Sequence, residues 1–135
     1  MITLEQFWMG REDERVTDEM RADAATTVER ANELLERSGI EPTDAGNGRG
    51  CVESGYRPPA INAATPGAAK NSKHMRCRAL DIGDAEGELD AWLLSDAGQK
   101  AMEEIGLWSE HPSATKGWAH VQIVPPNSGH RTFYP

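Results

Sequence analysis

The stretch SKHMRCRALDIGD, residues 72–84, joins a polar segment to a short apolar one and decides how the centre of this chain folds. It contains His74 and, seven positions later, Asp81. Side chains that contact each other on a helix lie three or four residues apart, and an odd separation places two strand residues on opposite faces. The pair therefore fits neither a single helix nor a single strand. The stretch predicts a loop that carries His74, followed by a strand, RALDIG, that carries Asp81.

A second strand of similar pattern is predicted in WAHVQIV, residues 118–124. Side chains alternate between the two faces of a strand, so Asp81 lies on the opposite face of RALDIG from its neighbours Leu80 and Ile82. In the same way, His120 shares a face of WAHVQIV with Trp118 and Gln122. If the two strands are neighbours in one sheet, Asp81 and His120 lie within about 5 Å of each other at Cβ.

His74, Asp81 and His120 together supply two imidazoles and one carboxylate. A catalytic zinc site has this ligand composition and keeps its fourth position open for water or substrate. The alternative for each histidine is a surface or hydrogen-bonded residue without a metal, and spacing alone does not exclude it. The residues therefore identify a candidate zinc site that needs structural context for its confirmation.

The rest of the chain predicts helices around a small sheet. Residues 3–9 indicate a short helix, and Thr17 is a good N-cap for a long helix that ends at Ser38-Gly39. Residues 87–106 predict one or two further helices. Because helices come first and then alternate with short strands, the pattern favours an α+β fold, with a small antiparallel sheet and flanking helices.

Two shorter strands and a long loop complete the predicted arrangement. CVESGYR, residues 51–57, begins as a strand that Pro58-Pro59 ends, and LWSE, residues 107–110, is a third short strand. The segment after the prolines, residues 61–75, is small, polar and without periodicity, so it predicts a long loop that includes His74. Long loops in compact domains are usually functional.

Length and composition limit the classes of protein to consider. The chain has 135 residues, enough for one domain, residues 1–135. Its net charge of −8 and pI near 4.9 disfavour nucleic acid or an anionic membrane as the main partner, because phosphate binding needs clustered Lys and Arg. No apolar run is long enough to span a bilayer, and MITLEQFWMGREDER lacks the pattern of a signal peptide. We expect neither membrane insertion nor a signal peptide.

The two cysteines, Cys51 and Cys77, are too few for a disulfide framework and too far apart in sequence for a zinc-thiolate knuckle. We expect two reduced thiols, as in a cytosolic product. A single bridge between them is the alternative if the protein meets an oxidising space.

Two separated motifs resemble one enzyme family. SGYRPPAINAATPGAAKNSKHMRCRALDIGD followed by GWAHVQ resembles the zinc D-Ala-D-Ala carboxypeptidase and L-alanoyl-D-glutamate endopeptidase family, which shares a fold with the amino-terminal hedgehog domain. Ser72, His74, Ala79 and Asp81 match the family pattern in its first half, and His120 matches in its second half. The opening FWMGR and the tail PPNSGHRTFYP look like the single-domain members that bacteriophages encode as endolysins.

The resemblance implies that His74, Asp81 and His120 bind zinc. It also implies that Arg57, in SGYR, binds a carboxylate or a peptide carbonyl of the substrate, and a guanidinium fork suits a carboxylate bidentately. The alternative for Arg57 is a surface salt bridge. Ser72 either hydrogen-bonds near the site and contacts substrate, or caps the loop.

The chain departs from the family pattern at two positions. Cys77 stands where relatives have Gly, so the backbone there either avoids a conformation that only Gly tolerates or bears some strain. Gly117 stands where many relatives have a Glu that acts as general base. Another residue must then accept the proton of the attacking water, and Glu110 or its neighbour His111 is the candidate; the alternative for both is a polar residue at a turn.

Gln122 shares the strand face of His120 and is predicted to orient water or substrate. It is not a candidate for the general base, because an amide cannot accept and hold a proton as a carboxylate or an imidazole does.

By this resemblance we expect a zinc-dependent peptidase that hydrolyses an amide bond in peptidoglycan stem peptides. We expect a monomeric phage endolysin, made in the host cytoplasm without a signal peptide and acting on the cell wall after release. One alternative is a zinc-containing binding module of the same fold without turnover. Another is a bacterial D,D-carboxypeptidase, which the missing signal peptide disfavours. The sequence leaves open which peptide bond is cut.

Overall fold

A five-stranded sheet, in the order β1-β2-β4-β3-β5, forms the centre of the computed structural model, which describes residues 1–135. Its strands are β1 (Val52–Ser54), β2 (Ala79–Asp84), β3 (Trp108–Glu110), β4 (Gly117–Gln122) and β5 (Thr132–Phe133). The helices are α1 (Leu4–Trp8), α2 (Asp18–Ser38), α3 (Pro59–Ala64), α4 (Glu88–Leu94) and α5 (Asp96–Ile105). The predicted α+β fold, a small sheet with flanking helices, is confirmed.

The sheet is not purely antiparallel. Every neighbouring pair runs antiparallel except β3 and β5, which are parallel. The C-terminal tail returns to the edge of β3, where Ser109 N–H donates to the Arg131 carbonyl and His111 N–H donates to the Phe133 carbonyl. These hydrogen bonds satisfy backbone groups that an edge strand would otherwise expose to solvent.

The long helix α2 begins and ends where the sequence predicts. The hydroxyl of Thr17 accepts from Met20 N–H, and Gly39 ends the helix in the left-handed conformation, with φ 65°. The region 87–106 forms two helices, because Ser95 leaves α4 with an extended backbone and caps α5 by accepting from Gly98 N–H.

The long loop predicted for residues 61–75 is wrong in part. Its start belongs to α3, which has Pro59 in its first turn, where the missing N–H leaves no hydrogen bond unmade. Its end belongs to a 3₁₀ turn, Lys73–Arg76. Neither element is long enough to show helical periodicity in the sequence, because each comprises little more than one turn.

The strand predicted for residues 51–57 is also shorter than expected. After Ser54 the chain leaves the sheet and runs beside α1, where Tyr56 N–H donates to the Phe7 carbonyl at 3.0 Å. Gly55 lies so close to the Phe7 backbone that a Cβ would not fit. This close approach is possible only with a glycine at position 55. From here the chain runs away from β1 toward Arg57.

The hydrophobic core fills one side of the sheet, between the strands and the helices α2, α4 and α5. It includes Leu80 and Ile82 of β2, Val121 of β4, Leu34 of α2 and Met102 of α5, none of which is exposed to solvent. The odd-numbered positions of β2 and the even-numbered positions of β4 therefore face the other side of the sheet. That second side is where the polar side chains of both strands meet.

The two thiols are free: Cys51 is half-buried and Cys77 is buried. None of the helices has the length and apolar content needed to cross a membrane.

Candidate metal centre

Strands β2 and β4 pair in a register that places Asp81 directly opposite His120. The carboxylate Oδ1 of Asp81 lies 2.8 Å from Nδ1 of His120. The sequence predicts that the two residues lie on the polar faces of their strands, and the register brings those faces together. Both side chains are largely buried, with 13% of Asp81 and 7% of His120 exposed.

His74 reaches the same carboxylate from the 3₁₀ turn Lys73–Arg76, with Nε2 at 3.3 Å from Asp81 Oδ1. Ser72 caps this turn, because its hydroxyl accepts from His74 N–H at 3.2 Å. Cys77 ends the turn in the left-handed conformation, and the chain then enters β2. The turn between His74 and Asp81 therefore brings both residues to one point, as the sequence predicts.

Cys77 bears the backbone strain that its departure from the family pattern suggests. Its φ is 62° and its ψ is 25°, a conformation that costs a non-glycine residue about 1 kcal/mol. The side chain is fully buried in the core, and the Cys77 carbonyl accepts a hydrogen bond of 2.8 Å from Thr27 of α2. The contacts with α2 and with the core hold the residue in this conformation.

The donor atoms of His74, Asp81 and His120 lie within 4.8 Å of one another. The ring of His74 is oriented by Gly55, whose carbonyl oxygen lies 2.8 Å from Nδ1. Because a carbonyl only accepts, Nδ1 carries the hydrogen, and the lone pair of a neutral His74 is on Nε2, which faces Asp81. Two imidazoles and a carboxylate that converge in this way, with one ring held by a backbone carbonyl, fit a zinc ion.

Interactions among the three residues shift the pKa of Asp81 and the pKa of His120. Burial alone would raise the pKa of Asp81, but the charge of His74 and the hydrogen bond with His120 outweigh burial and hold that pKa well below its usual range. Burial would lower the pKa of His120, but the hydrogen bond and charge of Asp81, together with the charge of Glu110, raise it to about 9. A metal cation bound here would take the place of a proton.

A groove of about 740 Å³ runs across this side of the sheet and contains the three residues. Its lining includes the side chains that the sequence analysis selected as candidates for catalysis or substrate binding, which are Arg57, Ser72, Glu110 and Gln122. Glu53, Trp118 and Phe133 also line the groove. The groove is partly open to solvent, so a ligand can reach the three residues from outside.

Arg57 is held in a fixed position on one wall of the groove. Its Nε donates to Asn62 Oδ1 at 3.1 Å, and one terminal nitrogen donates to Ser72 Oγ at 3.0 Å. The backbone N–H of Arg57 donates to the His74 carbonyl at 3.2 Å. The other terminal nitrogen makes no hydrogen bond within the protein, so it is available for a ligand in the groove.

Asn62 is a site residue that sequence reasoning missed. It lies on α3 with only 5% of its surface exposed, and its amide nitrogen donates to the Ala69 carbonyl at 2.9 Å. That hydrogen bond turns the amide oxygen toward Arg57. The only signal in the sequence is Pro58-Pro59, which begins the helix that carries Asn62.

The two candidates for the general base occupy different positions. Glu110 lines the groove and has its Oε1 at 3.8 Å from Nε2 of His120. His111 lies outside the groove, where its ring stacks on Tyr134 at 4.4 Å between centroids and its Nδ1 pairs with Ser113. The geometry favours Glu110, although its role stays a prediction.

Gly117, where relatives carry a Glu, is exposed and has a φ of 98°. An L side chain rarely adopts this conformation, because its Cβ would crowd the backbone. The backbone at the start of β4 therefore favours the glycine that the sequence has.

Gln122 lies beside His120 at the end of β4, with 3% of its surface exposed. Its Oε1 is 2.9 Å from Nε2 of His120, and its amide nitrogen donates to the Val124 carbonyl at 2.8 Å. Its predicted contact with water or substrate stays a prediction, and the structure adds a contact with His120 that the sequence did not indicate.

The fold and the convergent His–Asp–His group agree with the comparison with known families. A family model described as Peptidase M15 matches residues 20–122, a span that includes His74, Asp81 and His120. The chain belongs to the Peptidase M15 family, which confirms the resemblance noted in its two motifs. Members of this family are zinc-dependent metallopeptidases, and the three clustered residues could bind a metal. No curated protein and no solved structure gives a significant match to the chain.

Proposed function

We propose that this protein is a zinc-dependent peptidase that hydrolyses an amide bond in the stem peptides of peptidoglycan. The observation that carries the proposal is the convergence of His74, Asp81 and His120, whose donor atoms lie within 4.8 Å of one another inside an open groove. Membership of the Peptidase M15 family supports the reaction type. The resemblance of the two motifs to cell-wall peptidases supports the substrate.

In this proposal the metal is held by Nε2 of His74, Nδ1 of His120 and the carboxylate of Asp81. When bound, zinc supplies a Lewis acid that polarises the scissile carbonyl and makes a water molecule more acidic. The protein supplies a preformed site, because two of the ligands are on paired central strands and the third is on a capped turn.

Arg57 binds a carboxylate or a carbonyl of the stem peptide. Asn62 and Ser72 already hold one edge of its guanidinium, so little side-chain entropy is lost when substrate binds. Arg57 lines the groove, and its free terminal nitrogen donates hydrogen bonds to the ligand there. Arg57 thereby places the peptide against the metal centre, and such positioning accounts for a large part of catalysis in many enzymes.

Glu110 acts as the general base and then as the general acid. Its carboxylate lines the groove beside His120, where it can accept a proton from the attacking water. The same carboxyl group then gives the proton to the leaving amine, so Glu110 returns to its starting state after each turnover. This role replaces the Glu that many relatives carry at the position of Gly117.

We also propose that the protein is a monomeric endolysin of phage type, made in the host cytoplasm and acting on the cell wall after release. The support is the resemblance of FWMGR and PPNSGHRTFYP to single-domain endolysins. The net charge of −8 also makes nucleic acid an unsuitable partner.

A second candidate function is a zinc-containing binding module of the same fold. The observation that favours it is Gly117, which removes the general base found at that position in many relatives. The two functions differ in turnover, because a binding module retains peptidoglycan fragments without cleaving them.

The test is digestion of purified peptidoglycan and of isolated muropeptides, followed by mass spectrometry of the products. The zinc-loaded protein should release fragments, and removal of the metal by a chelator should stop the release. His120→Ala should be inactive, and His130→Ala, a change at an exposed histidine of the tail, should stay active. The mass of the products names the bond that is cut.

Full activity after metal removal would overturn the zinc mechanism. Binding of peptidoglycan without any new fragment would favour the binding module instead.

A further inference from the structure

We propose that Gln122 is a positioning residue that fixes the tautomer of His120, so that Nδ1 of this ring is free to bind the metal. The inference rests on the proposed function, because it takes His120 as a metal ligand. It assigns Gln122 a role toward a neighbouring side chain of the protein, in place of the contact with substrate predicted from the sequence.

The orientation of the Gln122 amide follows from its partner at Val124. The Val124 carbonyl can only accept a hydrogen bond, and it lies 2.8 Å from the Gln122 side-chain nitrogen. The nitrogen must therefore point to Val124, and the oxygen must point to His120. A flipped amide would place two oxygens against each other at this distance.

The orientation of the amide then decides where the hydrogen of His120 lies. Gln122 Oε1 is 2.9 Å from Nε2 of His120, and an amide oxygen has no hydrogen to donate. Nε2 must carry the hydrogen for the contact to be favourable. In the metal-free site Nδ1 also carries a hydrogen and donates to Asp81 Oδ1 at 2.8 Å. A metal would take the place of that Nδ1 proton, so the ring that binds it keeps the hydrogen on Nε2 and has its lone pair on Nδ1.

The sheet fixes the position of Gln122, so that its side chain can accept a hydrogen bond from His120. Gln122 is the last residue of β4 and pairs with Ala79 of β2 on one side and with Trp108 of β3 on the other. Its side chain is almost completely buried, so bulk water does not readily take the place of the amide oxygen. Partners of this kind orient metal-binding histidines in many proteins.

His120 and His74 are held in opposite tautomers by partners of different kinds. His74 donates from Nδ1 to the backbone carbonyl of Gly55, and His120 donates from Nε2 to the side chain of Gln122. Each ring therefore presents a different nitrogen to Asp81. A side-chain change cannot remove the carbonyl of Gly55, whereas Gln122 can be replaced, which makes the inference testable at His120.

The test measures the affinity for Zn²⁺ with a competing chelator, in the absence of substrate. Gln122→Met keeps the length of the side chain and removes the acceptor, and it should weaken zinc binding by about 10- to 100-fold. Gln122→Glu keeps an acceptor toward Nε2 but gives up the donor to the Val124 carbonyl, so it should restore part of that loss. Gln99→Met is the matched control, because the Gln99 amide bonds to Leu93 and Thr132 and should leave zinc affinity unchanged.

A second measurement reports the hydrogen on Nε2 directly. In the zinc-loaded wild-type protein labelled with ¹⁵N-histidine, the Nε2 hydrogen of His120 should exchange slowly with water and give its own proton NMR signal. In Gln122→Met the hydrogen should exchange much faster, because its acceptor is gone. The same spectra should show an unchanged Nδ1 hydrogen on His74.

Zinc affinity of Gln122→Met equal to that of the wild type would overturn the inference, and so would equal losses in Gln122→Met and Gln122→Glu. If Gln122→Met does not fold, Gln122→Val, which suits a strand and also lacks the acceptor, decides in the same way. A wild-type protein that binds no zinc would instead refute the proposed function. The comparison is repeated in the Glu110→Ala background, where Glu110 cannot take over as acceptor for Nε2, and an unchanged zinc affinity of Gln122→Met there also overturns the inference.

Discussion

Glu110 lies 3.8 Å from His120, measured from its Oε1 to Nε2 of the ring, on the strand next to the one that carries His120. The separation is too long for a hydrogen bond, so the carboxylate is not committed to the ring. The carboxylate therefore remains free to exchange protons with a water or a substrate in the groove, beside the candidate metal centre.

We expect Glu110→Gln to lower kcat by about 10²- to 10⁴-fold, because an amide cannot take up the proton of the attacking water. Zinc affinity should stay close to that of the wild type, since Glu110 is not among the three clustered metal-binding candidates. His111→Ala is the control and should leave kcat nearly unchanged. Steady-state hydrolysis of a muropeptide checks the prediction, and the reverse pattern would assign the base to His111.

We expect Asn62→Ala to raise KM several-fold with a smaller effect on kcat. The change removes the acceptor of Arg57 Nε, so the guanidinium loses a fixed position before substrate binds. Asn62→Asp keeps an acceptor toward Nε but gives up the hydrogen bond to the Ala69 carbonyl, so its KM should lie between that of Asn62→Ala and that of the wild type. Steady-state kinetics with stem peptides of different length check this, and an unchanged KM in Asn62→Ala would show that Ser72 alone holds the arginine.

The contribution of Asp90 to the free energy of unfolding should fall as the pH rises from about 4 through 6. Burial, together with the nearby charges of Asp84 and Glu110, outweighs the hydrogen bond from Thr115 and raises the pKa of Asp90 to about 6. The Oδ1 atom of Asp90 is buried without a hydrogen-bond partner. Because the folded state binds this proton more tightly than the unfolded chain does, its stabilising effect is complete below pH 4 and is lost through pH 6.

Asp90→Asn should therefore increase the free energy of unfolding at pH 8 by roughly 2 kcal/mol and by much less at pH 4. Urea unfolding across this range measures the difference. Glu103→Gln, a change at an exposed carboxylate of α5, serves as the control and should show no such pH dependence. An equal gain at both pH values would mean that charge burial is not the cause.

The Cys77→Gly variant should be at least as stable as the Cys77→Ala variant. At most positions the alanine variant is the more stable of the two, because glycine loses more backbone entropy on folding. Both changes remove the buried sulfur, but only glycine adopts the φ of 62° without strain, a difference of about 1 kcal/mol. Thermal unfolding of the two variants compares them directly. A clear advantage of the alanine variant would show that the left-handed backbone at this position carries no strain.

The thiol of Cys77 should also resist alkylation in the folded protein. Burial raises its pKa to about 12, so almost none of it is thiolate at neutral pH. Cys51 is only half-buried and should react first. Mass spectrometry after a short treatment with iodoacetamide checks the order.

The sequence predicted the centre of the molecule well because two local rules act there. Alternation along β2 and β4 predicted which side chains share a face, and the capping residues Thr17 and Gly39 predicted the ends of α2. The relation between His74 and Asp81 also followed, since their spacing excluded a single regular element. These features depend on neighbours in sequence, which a single chain displays.

The missed elements depend on contacts between distant residues. The helix α3 and the strand β5 are too short to be stable alone, and the pairing of β5 with β3 holds the tail in place. The choice between Glu110 and His111 likewise needed the structure, because only the folded chain shows that Glu110 lines the groove whereas His111 stacks on Tyr134 of the tail.

The sequence by itself determined the α+β fold, the family and the three candidate metal ligands, through periodicity and two spaced motifs. The tertiary structure decided how those ligands are oriented and which partners hold them: Gly55 for His74, Gln122 for His120 and Asn62 for Arg57. The physical reason is that a hydrogen bond fixes a tautomer or a guanidinium only when donor and acceptor meet at the right distance. That distance depends on sheet register and on turns, and residue order alone does not specify it.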